Sequence, residues 1–263
     1  MKHTLQIGLF SLRDVSRNMW VLIYTAFFAL VTIGLFQFQG HSGKVTVSIM
    51  SICLILIPLV SVLFGTMHFY NLREFIELML TQPVKRRTVF IGMYLGIATA
   101  LVSGFLIGVG IPLLLFGLGN QPQIISLLIL LLIGSILTLI FLAVSFLIAA
   151  YFDDRGKGIA SALAFWLVTA LLYDGLVLFI ATAFSEYPLE KLLLILSMAN
   201  PIDLARVTLL VQSDIAALMG YTGAVFNRFF GTASGVTIAV LSLFVWVAAP
   251  LTFGLTRFRR KDF

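Results

Sequence analysis

Six stretches of this chain run long enough to cross a bilayer while holding almost no Asp, Glu, Lys or Arg: Trp20–Phe38, Val47–Tyr70, Val89–Leu118, Ile124–Phe152, Ile159–Phe184 and Val236–Thr256. A hydrocarbon core is crossed by about 20 apolar residues in a helix, so each stretch suffices by itself. Residues of the class AVILMFWYC make up 60% of the chain and charged ones 11%, whereas soluble domains carry about 25% charged residues. A water-soluble globule is excluded, and little chain remains for a separate soluble domain.

Strands of a membrane barrel alternate in polarity, but runs such as Ile124–Ile133 are apolar without alternation. A helix closes its own backbone hydrogen bonds in lipid, and an open strand does not. The fold class is therefore an all-α integral membrane protein with six transmembrane helices. The first run is longer than a signal-peptide core, and Gln37-Phe38-Gln39-Gly40-His41 offers no small-x-small cleavage site; it is expected to remain in the mature chain.

Charge sets the orientation. Every Lys and Arg except Lys44, Lys191, Arg206 and Arg228 falls on the side that holds both termini, so the positive-inside rule puts both termini in the cytoplasm. The same bias accounts for the net charge of +6 without a contiguous basic face for nucleic acid. A single cysteine, Cys53, excludes an internal disulfide.

Three regions outside the runs carry information. Residues 1–19 put Leu5, Leu9 and Leu12 on one helical face and Lys2, Gln6, Arg13 and Arg17 on another, which suits an amphipathic helix on the cytoplasmic interface or simply a basic topogenic tail. In residues 71–83, Leu72, Phe75, Ile76 and Met79 recur at helical spacing, with Arg73 and Glu77 one turn apart on the opposite face. Pro83 ends that pattern, and Lys85, Arg86 and Arg87 anchor the next span. Such a helix, held between two spans, suits a cytoplasmic partner; a solvated loop obeying the charge rule is the alternative. Residues 185–235, expected to form an extracytoplasmic segment, are too long for a simple hairpin. Asn200-Pro201 punctuates them, Asp203 can cap a following helix, and Tyr221-Thr222-Gly223 reads as a turn. Ala224–Phe230 either lies at the outer interface or re-enters the membrane. A basic tail, residues 257–263, closes the chain.

Within the spans, Asp174 is the acidic residue set deep in an apolar run, and a carboxylate there marks a pathway, a partner contact or a hydrogen-bonded structural group. Met50 and Cys53, one turn apart, are soft donors that a copper(I) ion would accept, but two donors on one helix are equally ordinary core filling. Met67 and His68 lie too far along the same helix to join them. Gly92, Gly96, Ala100, Gly104 and Gly108 repeat every fourth residue, a face for close approach of another helix, and Pro112 follows in that row. No G-x-x-x-x-G-K-[ST] loop, H-E-x-x-H or G-x-S-x-G occurs, so neither P-loop nucleotide binding nor those hydrolase chemistries is expected here.

The run Glu77-Leu-Met-Leu-Thr-Gln-Pro-Val-Lys-Arg86 before the third span, with six spans and both termini inside, resembles the permeases of ABC-2 type exporters. The resemblance implies the ABC-2 (type V exporter-like) permease fold, with 71–83 a coupling helix that seats in a separate ATPase. Asn200–Val207, Asp214–Phe226 and Leu172-Tyr173-Asp174 are similar to the NosY family, the permeases of nitrous oxide reductase maturation systems. That likeness implies a homodimer in the bacterial or archaeal cytoplasmic membrane. Its partners would be a NosF-like ATPase, which binds ATP and Mg, and a NosD-like periplasmic β-helical protein that aids assembly of a copper–sulfide centre. Arg73, Glu74, Glu77, Gln82, Pro83 and Arg86 would then meet the ATPase, and Asn200, Asp203, Arg206, Asp214 and Tyr221 the periplasmic partner. No residue is expected to be catalytic. An ion-coupled carrier built on Asp174, a general ABC-2 exporter of lipid, glycan or drug, and a membrane anchor for a periplasmic complex are the competing readings.

Overall fold

A computed structural model describes residues 19–39, 42–81, 84–116, 121–184, 190–212 and 232–261. Among these the regular structure is helical throughout: α1 (Met19–Gln39), α2 (Ser42–Asn71), α3 (Arg73–Leu80), α4 (Arg86–Phe105), α5 (Ile111–Phe116), α6 (Gln121–Tyr151), α7 (Arg155–Leu167), α8 (Tyr173–Ala183), α9 (Glu190–Ala199), α10 (Pro201–Gln212) and α11 (Ala233–Arg260). A π-helical turn, Leu106–Gly110, joins α4 to α5, and another, Val168–Leu172, joins α7 to α8. Six spans result: Met19–Phe38, Val47–Asn71, Arg86–Phe116, Ile125–Tyr151, Arg155–Ala183 and Thr237–Arg260. Each lies within a few residues of an apolar run, because helix and lipid select the same property of the sequence.

The fourth span, α6, is the most buried and forms the axis of the bundle, with α2 and α11 against it. The fifth, α7 to α8, is the least buried within this chain. Near the end that carries α3, Phe69 of α2, Phe90 of α4, Phe146 of α6 and Phe258 of α11 form a closed aromatic cluster. Phe146 meets Phe69 and Phe90 edge to face, at centroid distances of 5.4 and 5.3 Å, the geometry that ring quadrupoles favour. Four spans are pinned together at one level by these rings.

Helix α1 packs on α4 where side chains vanish. A Cβ on Gly104 would come 2.7 Å from the Thr25 hydroxyl, and one on Gly108 would come 2.7 Å from the Thr25 carbonyl oxygen. Gly92 and Gly96 are buried further along the same helix. Pro112 is buried in α5, and the helix continues past it to Phe116. The π-helical turn just before it already departs from the regular ladder, which accommodates a residue with no N–H to donate.

The region after the fifth span departs furthest from expectation. Helices α9 and α10 form a pair bent by 115° at Asn200, and Ile202, Leu204 and Ala205 are fully buried in the main core beside residues of α2, α6 and α11. Part of the presumed outer segment is thus folded back into the bundle as a hairpin.

Candidate functional site

Polar groups gather at the α3 end of the bundle and where the fifth span meets α9 and α10. At one end, α3 follows α2 almost directly and presents two faces. Ile76 is fully buried, and Leu72 and Met79 pack against the aromatic cluster. Glu74, Glu77 and Leu78 are exposed, Leu78 at 59%. Arg73 Nε lies 3.3 Å from Glu77 Oε1 one turn on, a pairing that stabilises an exposed helix by about 0.3–0.5 kcal/mol. The expected coupling segment 71–83 is therefore a helix over Arg73–Leu80, and Gln82 and Pro83 lie outside the described residues.

What holds α3 in place was not visible in the sequence. Arg73 Nη1 donates to the carbonyl of Asp153 at 3.4 Å, and the Tyr70 hydroxyl donates to that of Phe152 at 2.8 Å. Both acceptors sit in the short connection between α6 and α7. Its next residue, Asp154, caps α7 by accepting from the Lys157 amide at 2.7 Å, relieving one unpaired amide of the first turn. Lys261, just past α11, reaches into the same connection: its Nζ lies 2.8 Å from Asp153 Oδ1 and donates to the carbonyls of Ala149 and Ala150 at 3.4 and 3.3 Å. A cation on the last carbonyls of α6 is favoured by the helix dipole. The Lys261 hydrogen bond and charge hold the Asp153 carboxyl below its usual range. Arg86 belongs to this set rather than to the exposed face of α3, since its Nη1 donates to the carbonyls of Lys261 and Arg259, the latter at 3.3 Å.

In the half of the fifth span away from α3, Asp174 lies roughly 28 Å from Arg155, at ~1.5 Å per residue, just beyond the π-helical turn. Arg206 of α10 meets it, with Nη2 2.8 Å from Asp174 Oδ2, and its Nη1 donates to Asp203 Oδ1 at 3.1 Å. Two further bonds join the hairpin to the fifth span: Asn200 Nδ2 donates to the Thr169 carbonyl at 2.7 Å, and the Tyr173 hydroxyl donates to the Leu196 carbonyl at 2.6 Å. Asn200 also accepts from the Ile202 amide at 3.0 Å, capping α10.

In this chain Asn200 and Arg206 are bonded to the fifth span, and Arg206 also to Asp203. Asn200 is 1% exposed and Asp203 8%, and their polar atoms are directed at the fifth span and at α10 itself. They brace the hairpin from within. Asp174 and Arg206, read as members of two separate sites, form one ion pair. A carboxylate in an apolar span needs a counter-charge, and Arg206 was the cation stranded in an apolar stretch. Asp214, Tyr221 and residues 1–18 lie outside the described residues.

Met50 and Cys53 are buried in the main core. Among the described residues no group of three or more His, Cys, Asp or Glu is placed to hold a metal ion.

Comparison with known proteins decides the family. The model of the ABC-2 family transporter proteins matches residues 33–263. The chain belongs to the ABC-2 transporter family. This ABC-2 protein is 28% identical over 267 residues, 95% of each chain, to the probable ABC transporter permease protein NosY of Pseudomonas aeruginosa. It is 25% identical over 269 residues, again 95% of each, to the protein of the same name from Stutzerimonas stutzeri. The six-span, all-helical, multi-pass architecture is that of an ABC-2 permease.

Proposed function

We propose that this chain is the membrane-spanning permease subunit of a NosY-type ABC transporter, powered by a separate NosF-like ATPase that binds ATP and Mg. It works as a homodimer in the cytoplasmic membrane, with both termini and α3 facing the cytoplasm. On the other side it meets a NosD-like periplasmic β-helical protein. Together they support assembly of the copper–sulfide centre of nitrous oxide reductase, either by moving a sulfur or copper species or by passing on a conformational change.

The observation that carries this reading is α3. It is a short amphipathic helix whose apolar side is locked into the aromatic cluster through Ile76, and whose other side offers Glu74, Glu77 and Leu78 to a partner. Only a helix so anchored turns a push from outside into movement of the spans. The names of the similar NosY permeases, matched over nearly the whole chain, supply the system. The pairing of Asp174 with Arg206 supports a bracing role for that carboxylate over an ion-coupled one.

The test is Leu78→Glu together with Glu77→Lys, measured as ATP hydrolysis by the assembled complex in proteoliposomes. Loss of ATPase association, with the permease still folded and inserted, supports the reading. Unchanged association and hydrolysis would remove α3 as the contact.

A further inference from the structure

The fifth span is bonded at its α3 end and again from its middle onward, and between these attachments Trp166 Nε1 donates to the Ile55 carbonyl of α2 at 3.1 Å. At the α3 end, Tyr70 and Arg73 donate to the carbonyls of Phe152 and Asp153, the residues that lead into α7. From its midpoint onward, Thr169, Tyr173 and Asp174 are joined to Asn200, Leu196 and Arg206 of the hairpin. It is the least buried of the six spans. The hairpin has other contacts. Helix α10 lies on α6 through apolar side chains, and the sixth span adds a hydrogen bond from Trp246 Nε1 to the Met198 carbonyl at 3.2 Å.

We propose that Asn200 and Arg206 are positioning residues that fasten the α9–α10 hairpin to the fifth span, so that the hairpin travels with that span when α3 is displaced. The inference rests on the reading of α3 as the ATPase contact and extends it across the membrane.

Asn200 suits this role because its carboxamide both gives and receives, gripping Thr169 with the amide while capping α10 with the oxygen. No apolar side chain does either, and aspartate at neutral pH accepts only. Thr169 lies in the π-helical turn Val168–Leu172, where the regular ladder is already interrupted. The hairpin thus grips the span at its irregular turn. Arg206 adds a directional bond one level on, and the Asp203 carboxylate holds that guanidinium from the other side.

The experiment follows two distances by pulsed electron spin resonance in the complete complex, with one doubly labelled chain per particle and Cys53→Ser as background. Ile195→Cys with Phe244→Cys reports the hairpin against α11. Leu163→Cys with Phe253→Cys reports the fifth span against α11. All four positions are exposed in this chain. In otherwise unaltered protein, ATP is expected to shift both distances. With Asn200→Leu and Arg206→Met, the fifth-span shift is expected to persist and the hairpin shift to be lost. Arg206→Lys, which keeps a cation between Asp174 and Asp203, is expected to retain much of the hairpin shift in a chain with Asn200 intact. That retention separates positioning from misfolding. A hairpin shift that survives the Asn200→Leu, Arg206→Met change overturns the inference while leaving the ATPase reading standing. Absence of any fifth-span shift in unaltered protein overturns both.

Discussion

Arg206 Nη2 lies 2.8 Å from Asp174 Oδ2, joining the α9–α10 hairpin to the fifth span across 31 intervening residues of chain. Arg206→Met would leave two carboxylates, Asp174 and Asp203, facing each other without their shared cation. Breaking a fully buried pair costs about 3–5 kcal/mol, and an exposed pair contributes under about 1 kcal/mol. With side-chain exposures of 30% and 35%, an intermediate loss of about 2 kcal/mol is expected. Thermal unfolding in detergent measures it. Adding Asp174→Asn to Arg206→Met should recover part of the loss, and a double variant no more stable than the single one would contradict the pairing.

The glycine row yields a matched comparison. At Gly108 a Cβ meets the Thr25 backbone oxygen at 2.7 Å, which cannot rotate away, whereas at Gly175 nothing lies within 4 Å. Gly108→Ala is expected to push α1 from the π-helical turn that follows α4 and destabilise by about 1–3 kcal/mol. Gly175→Ala should be neutral within this chain, or stabilising by about 0.4–1 kcal/mol through the unfolded state. Equal effects at the two sites would show that α1 does not approach that turn so closely.

The aromatic cluster answers to truncation. Phe146 is fully buried and touches the rings of Phe69, Phe90 and Tyr94. Phe146→Ala should cost about 3–5 kcal/mol and loosen α3, because Ile76 packs into the same cluster. Limited proteolysis near Thr81 would register the loosening, and an unchanged cleavage rate would contradict it.

The contact between Lys261 and Asp153 carries a pH signature. Its folded-state carboxyl titrates below the usual value because Lys261 bonds it and sits beside it. A group depressed in this way adds stability above its unfolded value of about 3.9, and that stability is lost as pH falls through the folded value. The tail should therefore stay attached from neutral pH down to about pH 4 and release below it. Protection of the C-terminal residues from carboxypeptidase across that range measures the release. Asp153→Asn should remove the acid edge, and an edge that persists in this variant would assign it to another group.

Much of the bundle was legible in the sequence because lipid imposes a single requirement, an apolar run of sufficient length. The six runs become six spans with ends displaced by only a few residues. Helix α3 was legible from the spacing of Leu72, Ile76 and Met79. The hairpin was not: Asn200-Pro201, Asp203 and Arg206 break up the apolar signal in just the place where the chain re-enters the bundle. Nor could spacing reveal that Asp174 and Arg206 meet, since such pairing is set by three-dimensional packing. The contacts of Tyr70, Asp153 and Lys261 were hidden for the same reason, although Asp154 immediately before α7 was a readable helix cap.

The central claim, a permease driven through α3 by a separate ATPase, is tested most directly by gentle purification of the tagged chain from its native membrane and mass spectrometry of the intact particle. The account predicts two copies of this chain with a nucleotide-binding ATPase and a periplasmic repeat protein, the ATPase being lost on Leu78→Glu with Glu77→Lys. A particle containing this chain without any ATPase, unchanged by those substitutions, would contradict it.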